Sequence, residues 1–534
     1  MKGTRLLLCT VLALATALPA LAQVQMLSET VPATPPPLPE LETLRSGNGV
    51  MNVNLRLQYS LSRIGKDTVS LRSYDGRLVG PTLRVKPGDV LNVWLDNQLP
   101  CLTPPCQCQD NGPALEHHHV EMVNGALGAE PSPTTFNTTN LHTHGLHVSP
   151  KDPADNVLRE VRPTCSYPFS FKIPENHPSG TFWYHPHVHG STAIQVGSSA
   201  VGALIVEGGG LDLVPEIRAA EERILIFQQI PYTCKARETD PQSPCNSADP
   251  GQVESFNLFG NGKWPKPWQA TTINGEVQPV LHMQPGEVQR WRIIHGGVRE
   301  TILAGVATDP SSPALPGWLH EIALDGLPTG EVAPRTTAEL QPGYRVDLLV
   351  KAQRPGTYYL IDKPTSAQES LLAEAESQKI LAVIVVSGAA NNMRLPTSSQ
   401  VARFRLPSVR DEEVRGRPIQ NVVFNIENNK FTVDGEEFPG STRSLQLGKA
   451  DEWKVESKLA NHPFHIHVNP FEVLEKDSSG RVIRRYWKDT LLVKPGQPLT
   501  LRSRYEVFDG KFVLHCHILD HEDRGMMQYV EIKP

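Results

Sequence analysis

The sequence is short of several things. Of its 534 residues only 6% are aromatic, eight are methionine and eight are cysteine. It has no excess of positive charge: 51 Lys and Arg against 57 Asp and Glu leave −6 at neutral pH. A basic face for nucleic acid is therefore not expected. Apart from Leu6 to Leu18, no apolar run approaches the length of a membrane span, and that run is itself short for one. The methionines, at 1, 26, 51, 122, 283, 393, 526 and 527, cluster nowhere except in the final pair, so there is no methionine-rich segment. What the chain has in quantity is punctuation. It carries 47 Pro and 40 Gly, and frequent turn signals favour strands over helices. Its 39% hydrophobic and 20% charged residues suit globular domains. The length allows three or four of them at roughly 150 residues each.

The N-terminus reads as a trafficking signal. Lys2 and Arg5 precede the apolar run, and Ala20-Leu21-Ala22 offers a cleavage site before Gln23. Residues 1–22 are accordingly expected to be a secretory signal peptide. The protein would then be exported, periplasmic or secreted, with residues 23–48 a proline-rich, exposed spacer. There is no twin-arginine pair, and Cys9 lies too deep in the run for lipidation. Export implies an oxidising compartment. Of the remaining cysteines, Cys516 stands apart between two histidines. Cys101, Cys106, Cys108, Cys165, Cys234 and Cys245 form an even set whose pairing the sequence leaves open, with Cys234–Cys245 the favoured local bridge. Metal binding by Cys106-Gln-Cys108 is the competing reading.

Repeats set the architecture. Leu83 to Leu95, Leu281 to Ile293 and Leu491 to Leu501 each read as strand, Pro-Gly turn, strand, with glycines at 88, 286 and 496. Gly180-Thr-Phe-Trp-Tyr-His185, Gly356-Thr-Tyr-Tyr-Leu-Ile361 and Gly510-Lys-Phe-Val-Leu-His515 follow as aromatic and β-branched strands. Apolar segments at Ala203 to Val206, Ala382 to Val386 and Met527 to Val530 close each unit. The fold class expected is all-β, with three related Greek-key sandwiches or barrels at 49–210, 218–389 and 412–534. One helix is predicted, a surface insertion over Ala367 to Gln378. The middle unit ends its second repeat in Ile361 where the others have His185 and His515. This makes it a spacer between two chemically active domains.

Ten of 19 histidines fall in tight groups: His142-Thr-His144, His185-Pro-His187, His462-Pro-Phe-His465-Ile-His467, and His515-Cys-His517 with His521. Neutral imidazole is the commonest metal ligand. On a strand, residues i and i+2 share a face about 6.5–7 Å apart, which suits two neighbouring ions better than chelation of one. Cys516 must then point away from His515 and His517. With His462, His521 and Met526 it would make a His₂Cys site with a weak thioether, the blue-copper arrangement. Zinc has no redox chemistry and would leave this link between two sites idle.

The motifs Asn140-Leu-His-Thr-His-Gly-Leu146, Gly180 to His187, His462 to His467 and His515 to Met527 resemble those of the three-domain multicopper oxidases, laccase-like and bacterial in type. The resemblance spans about residues 50–534. It implies cupredoxin-like domains and four copper ions. His462, Cys516, His521 and axial Met526 would hold type 1 copper. His142 and His465 would hold type 2. His144, His185 and His517 would bind one type 3 ion, and His187, His467 and His515 the other. The implied reaction is one-electron oxidation of a donor at type 1 coupled to reduction of O₂ to water at the trinuclear cluster. Glu522 sits where related bacterial enzymes carry a proton-relay glutamate. Asp155 falls in a segment similar to a family Ala-Asp-Gly turn, with Asp152 as the alternative alignment.

Phenols and aromatic amines are the expected donors. The runners-up are a Cu(I) oxidase serving copper tolerance, disfavoured by the scattered methionines, and a bilirubin-type oxidase. A copper nitrite reductase would not need eight clustered imidazoles. A non-catalytic cupredoxin scaffold would have lost ligands, and none is missing here. A monomer without nucleic-acid partner or membrane span is expected. His117-His118-His119 reads as a solvated loop, His147 and His189 as residues outside the ligand set, Trp183 and Phe464 as core, and Asn137-Thr138-Thr139 as a glycosylation sequon only if the host glycosylates.

Overall fold

The structure is a computed structural model that describes residues 31–101, 108, 136–240, 242–253 and 271–534. The signal-like segment, Cys106 and His117–His119 lie outside the described residues. Strands dominate. Among the described residues they form six sheets, two for each third of the chain, and each pair encloses its own apolar core. The fold is all-β and cupredoxin-like. Val50–Ile64 shows why these segments are strands: Met51, Val53, Leu55 and Leu57 are buried while the residues between them are exposed, the period of a sheet with one wet face.

The strand order of the site-bearing sheet recurs. In the first domain Thr82–Val85 pairs parallel with Gly202–Val206, which pairs antiparallel with Gly180–His185, which pairs with His142–His144. In the second the series is Val280–Met283, Lys379–Val386, Gly356–Asp362 and Ile302–Ala307. In the third it is Thr442–Gln446, Met527–Lys533, Gly510–Cys516 and His462–Ile466. This corrects one repeat. Gly88 and Gly286 occupy equivalent turns, both at positive φ, but the third-domain counterpart is the turn at Gly448, after Thr442–Gln446. Gly496 follows Thr490–Val493, which pairs with the His462 strand as Thr337–Leu340 pairs with Ile302–Ala307. Its equivalent is Gly343. Each of these domains has two strand–turn–strand corners of similar composition.

Two further expectations are overturned. Residues 367–378 are not helical. Thr365 and Glu376 pair as an isolated bridge, and Ala373 has φ +54°. The Ser370 hydroxyl donates to Glu376 at 2.6 Å and accepts from the Leu372 amide at 3.0 Å, so side-chain bonds replace helical ones. Nor is the segment only superficial, since Leu371 is buried in the third domain's core. The proline-rich stretch is likewise not free: Pro37 bridges to Val280, and Thr43–Arg45 joins the first domain's sheet beside Thr82–Val85.

The first and second domains meet closely. A Cβ on Gly180 would lie 1.9 Å from the Gly326 carbonyl oxygen, so only glycine fits. In Val288–His295, Trp291 and Ile293 enter the middle core while Arg290 and Arg292 face the first domain. There Asp347 accepts from Thr181 Oγ1 at 2.5 Å, Arg290 Nη2 at 2.7 Å and Arg292 Nη1 at 3.0 Å. Disulfides join Cys108 to Cys165 and Cys234 to Cys245, and Cys101 is also bridged. Among the described residues no helix is long and apolar enough to cross a membrane.

Candidate metal centre

Cross-strand register gathers the histidines. His142 lies opposite His185 and His144 opposite Trp183, so one face of this strand pair carries three imidazoles and an indole. Trp183 is thus more than core, stacking on His185 with 4.2 Å between ring centroids. In the third domain His465 lies opposite His515 and Phe464 opposite Cys516. The pleat sends His465 and His515 to one face and sends Cys516 with Phe464 into the third domain's core.

The two histidine faces meet at the boundary of the outer domains. His142 stacks on His467, and His144 on His465, each pair with centroids 4.0 Å apart. His187 Nε2 lies 3.1 Å and His467 Nε2 3.3 Å from His515 Nε2, and His517 Nε2 lies 3.3 Å from His144 Nδ1. His187, His467 and His515 form one compact donor triplet, and His142, His465 and His467 another. His144, His185 and His517 are more loosely arranged, their ring centroids 4.9–5.9 Å apart.

The chemistry of these donors fits a metal. All eight imidazoles are buried, and burial foremost holds each below the ordinary imidazole pKa. They are therefore neutral, each with a lone pair. Nε2 of His142, His185 and His465 and Nδ1 of His467 and His517 have no hydrogen-bond partner. Unpartnered buried polar atoms are costly, and a shared cation removes that cost. The opposite ring nitrogens are held. His465 Nδ1 donates to the Asp489 carbonyl at 2.8 Å, His185 Nδ1 to Pro186 O at 2.9 Å, and His515 Nδ1 to Cys516 O at 3.0 Å. Such bonds select the tautomer that leaves Nε2 open.

On the other face, Cys516 Sγ lies 3.4 Å from His462 Nδ1 and 3.9 Å from His521 Nδ1, and those two nitrogens are 3.3 Å apart. Three ligand atoms thus converge on one point with a thiol among them. Burial pushes that thiol well above its ordinary pKa, so a thiolate here needs a cation beside it. The Ile518 amide donates to Sγ at 3.4 Å. Met526 is fully buried in the same core, and its carbonyl accepts from the Cys516 amide at 3.1 Å.

Carboxylates line the histidine cluster. Asp155 accepts from His142 Nδ1 at 3.0 Å and from the Thr143 amide at 2.9 Å, and burial raises its pKa to about 7. Asp152 is instead at the surface beside Arg159 and Tyr167. Glu522 is wholly buried, accepts from Thr192 Oγ1 at 3.0 Å, and approaches His187 Nδ1 at 3.4 Å and His515 Nδ1 at 3.3 Å. Burial first, and then the Asp523 charge, push its pKa well up, which favours the protonated carboxyl.

Sequence reasoning missed Asp489. It lies 3.3 Å from His144 Nε2 and 3.6 Å from His465 Nδ1, and it pairs with Arg345 of the middle domain. Gly343, beside that arginine, touches His517, and a Cβ there would come within 2.9 Å of the ring. No local spacing marks either residue. Of the residues set aside, His147 and His189 are half-buried, and His147 Nδ1 donates to Val468 O at 2.8 Å. Asn137 is no glycosylation site, because it is buried and its side-chain oxygen accepts from Arg72 at 2.8 and 2.9 Å.

Family profiles described as multicopper oxidase match residues 134–210 and 415–534, the stretches that carry the two halves of this cluster. The chain belongs to the multicopper oxidases. This multicopper oxidase is 23% identical over 504 residues to multicopper oxidase mco of Staphylococcus haemolyticus, covering 92% of this chain and 90% of that one. It is 22% identical over 521 residues to a laccase of Bacillus subtilis, covering 86% and 90%. Its fold matches the Campylobacter jejuni multicopper oxidase, a metallo-oxidase, with TM-score 0.68 at 19% identity, covering 94% and 99%. It also matches a multi-copper oxidase from Pediococcus acidilactici with TM-score 0.70 at 20% identity, covering 95% and 93%. The protein is a copper-binding oxidoreductase that uses O₂ as acceptor.

Proposed function

We propose that the protein is an exported, laccase-like oxidase of phenols and aromatic amines, working as a monomer with four copper ions. His462, Cys516, His521 and Met526 would hold the type 1 ion, His142 and His465 the type 2 ion, and His144, His185, His517 with His187, His467, His515 the type 3 pair. Copper so placed supplies one-electron oxidation of the donor at the cysteine centre and four-electron reduction of O₂ to water at the histidine cluster. The observation that carries this reading is the register at Cys516. Its thiol faces one donor set while the flanking His515 and His517 face the other, so two backbone links join the two centres.

The remaining residues supply orientation and protons. Asp155 fixes His142 through Nδ1, leaving Nε2 for the metal. Glu522 holds a proton at its carboxyl beside His187 and His515 and can deliver it to reduced oxygen. A phenol is favoured over Cu(I) as donor because Met51 and Met283 are deep in the cores of the first and second domains, and Met526 and Met527 are buried. Export is supported by the disulfides.

The test is O₂ consumption by the copper-loaded protein with a panel of phenols, bilirubin and Cu(I), with the thiolate-to-copper band recorded alongside. Uptake with phenols by a blue protein is expected, and Cys516→Ser should lose both. A colourless copper-loaded protein, or O₂ uptake confined to Cu(I), would overturn the assignment.

A further inference from the structure

The middle domain carries none of the proposed ligands, yet two of its segments grip the cysteine centre from both sides. On one side Arg299 Nε donates to Asp520 Oδ1 at 3.1 Å, and Nη2 contacts Oδ2, a forked pair next to His521. Both side chains are largely shielded, at 16% and 12% exposure. The adjoining Leu519 amide donates to the Val298 carbonyl at 3.4 Å, and Val298 and Leu519 share one apolar cluster. On the other side the Asn461 amide, next to His462, donates to Gln368 O at 2.8 Å, while Leu371 enters the apolar core of the third domain.

The two segments are tied at their base. Glu300 pairs with Lys379, which also reaches Glu376 at 3.2 Å, and Glu376 bridges to Thr365. Glu300 is therefore engaged by a cation of its own, and Arg299 is left to Asp520.

We propose that Arg299 is a positioning residue of the His462–Cys516–His521 centre: paired with Asp520 it fixes the turn that presents His521, and it sets a cation against that turn that raises the reduction potential of copper held there. A positive charge near a metal favours its lower oxidation state, and in a partly buried site that influence is weakly screened. The turn is the complementary part of the effect. Leu519–Glu522 is a single short helical turn, with little stiffness of its own, so an external clamp decides where His521 points. This inference rests on the proposed copper at this centre.

The test uses the copper-loaded full-length protein with Arg299→Met, Arg299→Lys and Asp520→Asn. The readouts are the potential of the blue band by redox titration and its electron-spin-resonance splitting. Arg299→Met should lower the potential and alter the splitting. Arg299→Lys should stay near the parent potential. Asp520→Asn, which leaves the guanidinium uncompensated, should raise it. An unchanged potential in Arg299→Met, or shifts of the same sign in Arg299→Met and Asp520→Asn, would overturn the proposal. If Arg299→Met does not fold, Asp520→Asn decides alone: a higher potential supports the proposal and an equal or lower one overturns it. A parent protein with no blue band would overturn the function itself, whereas a blue parent indifferent to these substitutions overturns only this inference.

Discussion

Asp489→Asn probes the point where all three domains meet at the histidine cluster. Asp489 is 4% exposed and its partner Arg345 is fully buried. The carboxylate accepts from Arg345 Nη1 and from Thr490 Oγ1, each at 2.8 Å, and approaches His144. Burial alone would raise the pKa of Asp489, but the Arg345 charge more than offsets it and the group is held ionised. Asparagine keeps the shape and removes the charge. Breaking a buried ion pair from one side costs about 3–5 kcal/mol, because the survivor stays buried without its counter-ion. The lower end applies here. Arg345 keeps the Gly343 and Asp325 carbonyls at 2.8 and 3.0 Å, and the Asp325 carboxylate at 3.8 Å. A loss of about 3 kcal/mol, or roughly 6–12 °C for a cooperative unit of domain size, is expected by calorimetry of the copper-free protein. Arg345→Met should cost a similar amount. The double variant should cost clearly less than the two together, since the pair acts as a unit. Copper content at the histidine cluster should fall too, because His144 and His465 lose a neighbour that orients them. A loss under about 1 kcal/mol, or strict additivity in the cycle, would refute the claim that this pair joins the domains.

Other consequences are more direct. Glu522→Gln cannot release a proton, so O₂ reduction should slow by roughly 10²-fold or more while the blue band persists, and an oxygen electrode showing full turnover would exclude the role. Glu222 sits between Arg84 and Arg292; burial opposes its ionisation, but the two arginines lower its pKa to about 2. Its folded-state pKa is depressed, so the stability it adds is complete above the unfolded value and disappears as pH falls toward about 2. At 26% side-chain exposure the discounted contribution is about 2 kcal/mol. Urea titrations of Glu222→Gln should therefore differ from the parent by that amount near neutrality and hardly at all near about pH 2, whereas a gap that ignores pH would contradict the assignment. Leu371→Ala empties a position in the third domain's core and should cost about 2 kcal/mol or more in urea unfolding. An effect near zero would show that the segment merely rests on the surface.

What the sequence revealed and what it hid divide along a physical line. Residues that share a strand face repeat every second position, so His142 and His144, or His515 and His517, carry their geometry in their spacing. The opposite orientation of Cys516 follows from the same pleat, and the register of Phe464 with Cys516 shows it. Residues brought together across the fold carry no such mark. Asp489 meets His144 across 345 positions and Asp520 meets Arg299 across 221. The Gly496 turn was mismatched for a related reason: two corners in each of the later domains share a Pro-Gly composition or a similar glycine turn, and only pairing partners tell them apart. The run at 367–378 has good helix formers but too few for an isolated helix to persist, and side-chain bonds with a buried leucine decide its shape.

The middle domain shows most clearly how ligand loss differs from loss of function. At one cross-strand position of equivalent sheets the first domain has His142 opposite His185 and the third has His465 opposite His515, while the second has Gly305 opposite Ile361. Read along the sequence, Ile361 marks a spacer. In space the domain without ligands reaches both centres, with Gly343 against His517, Arg345 on Asp489, Arg299 on Asp520 and Leu371 in the third domain's core. A spacer would need only to hold the outer domains at the right separation, and apolar contacts would suffice for that. Buried arginines are a costly way to make such contacts, since each must be desolvated and matched. Their placement next to the neighbours of the proposed metal ligands is better explained by control of ligand orientation and local charge than by separation alone.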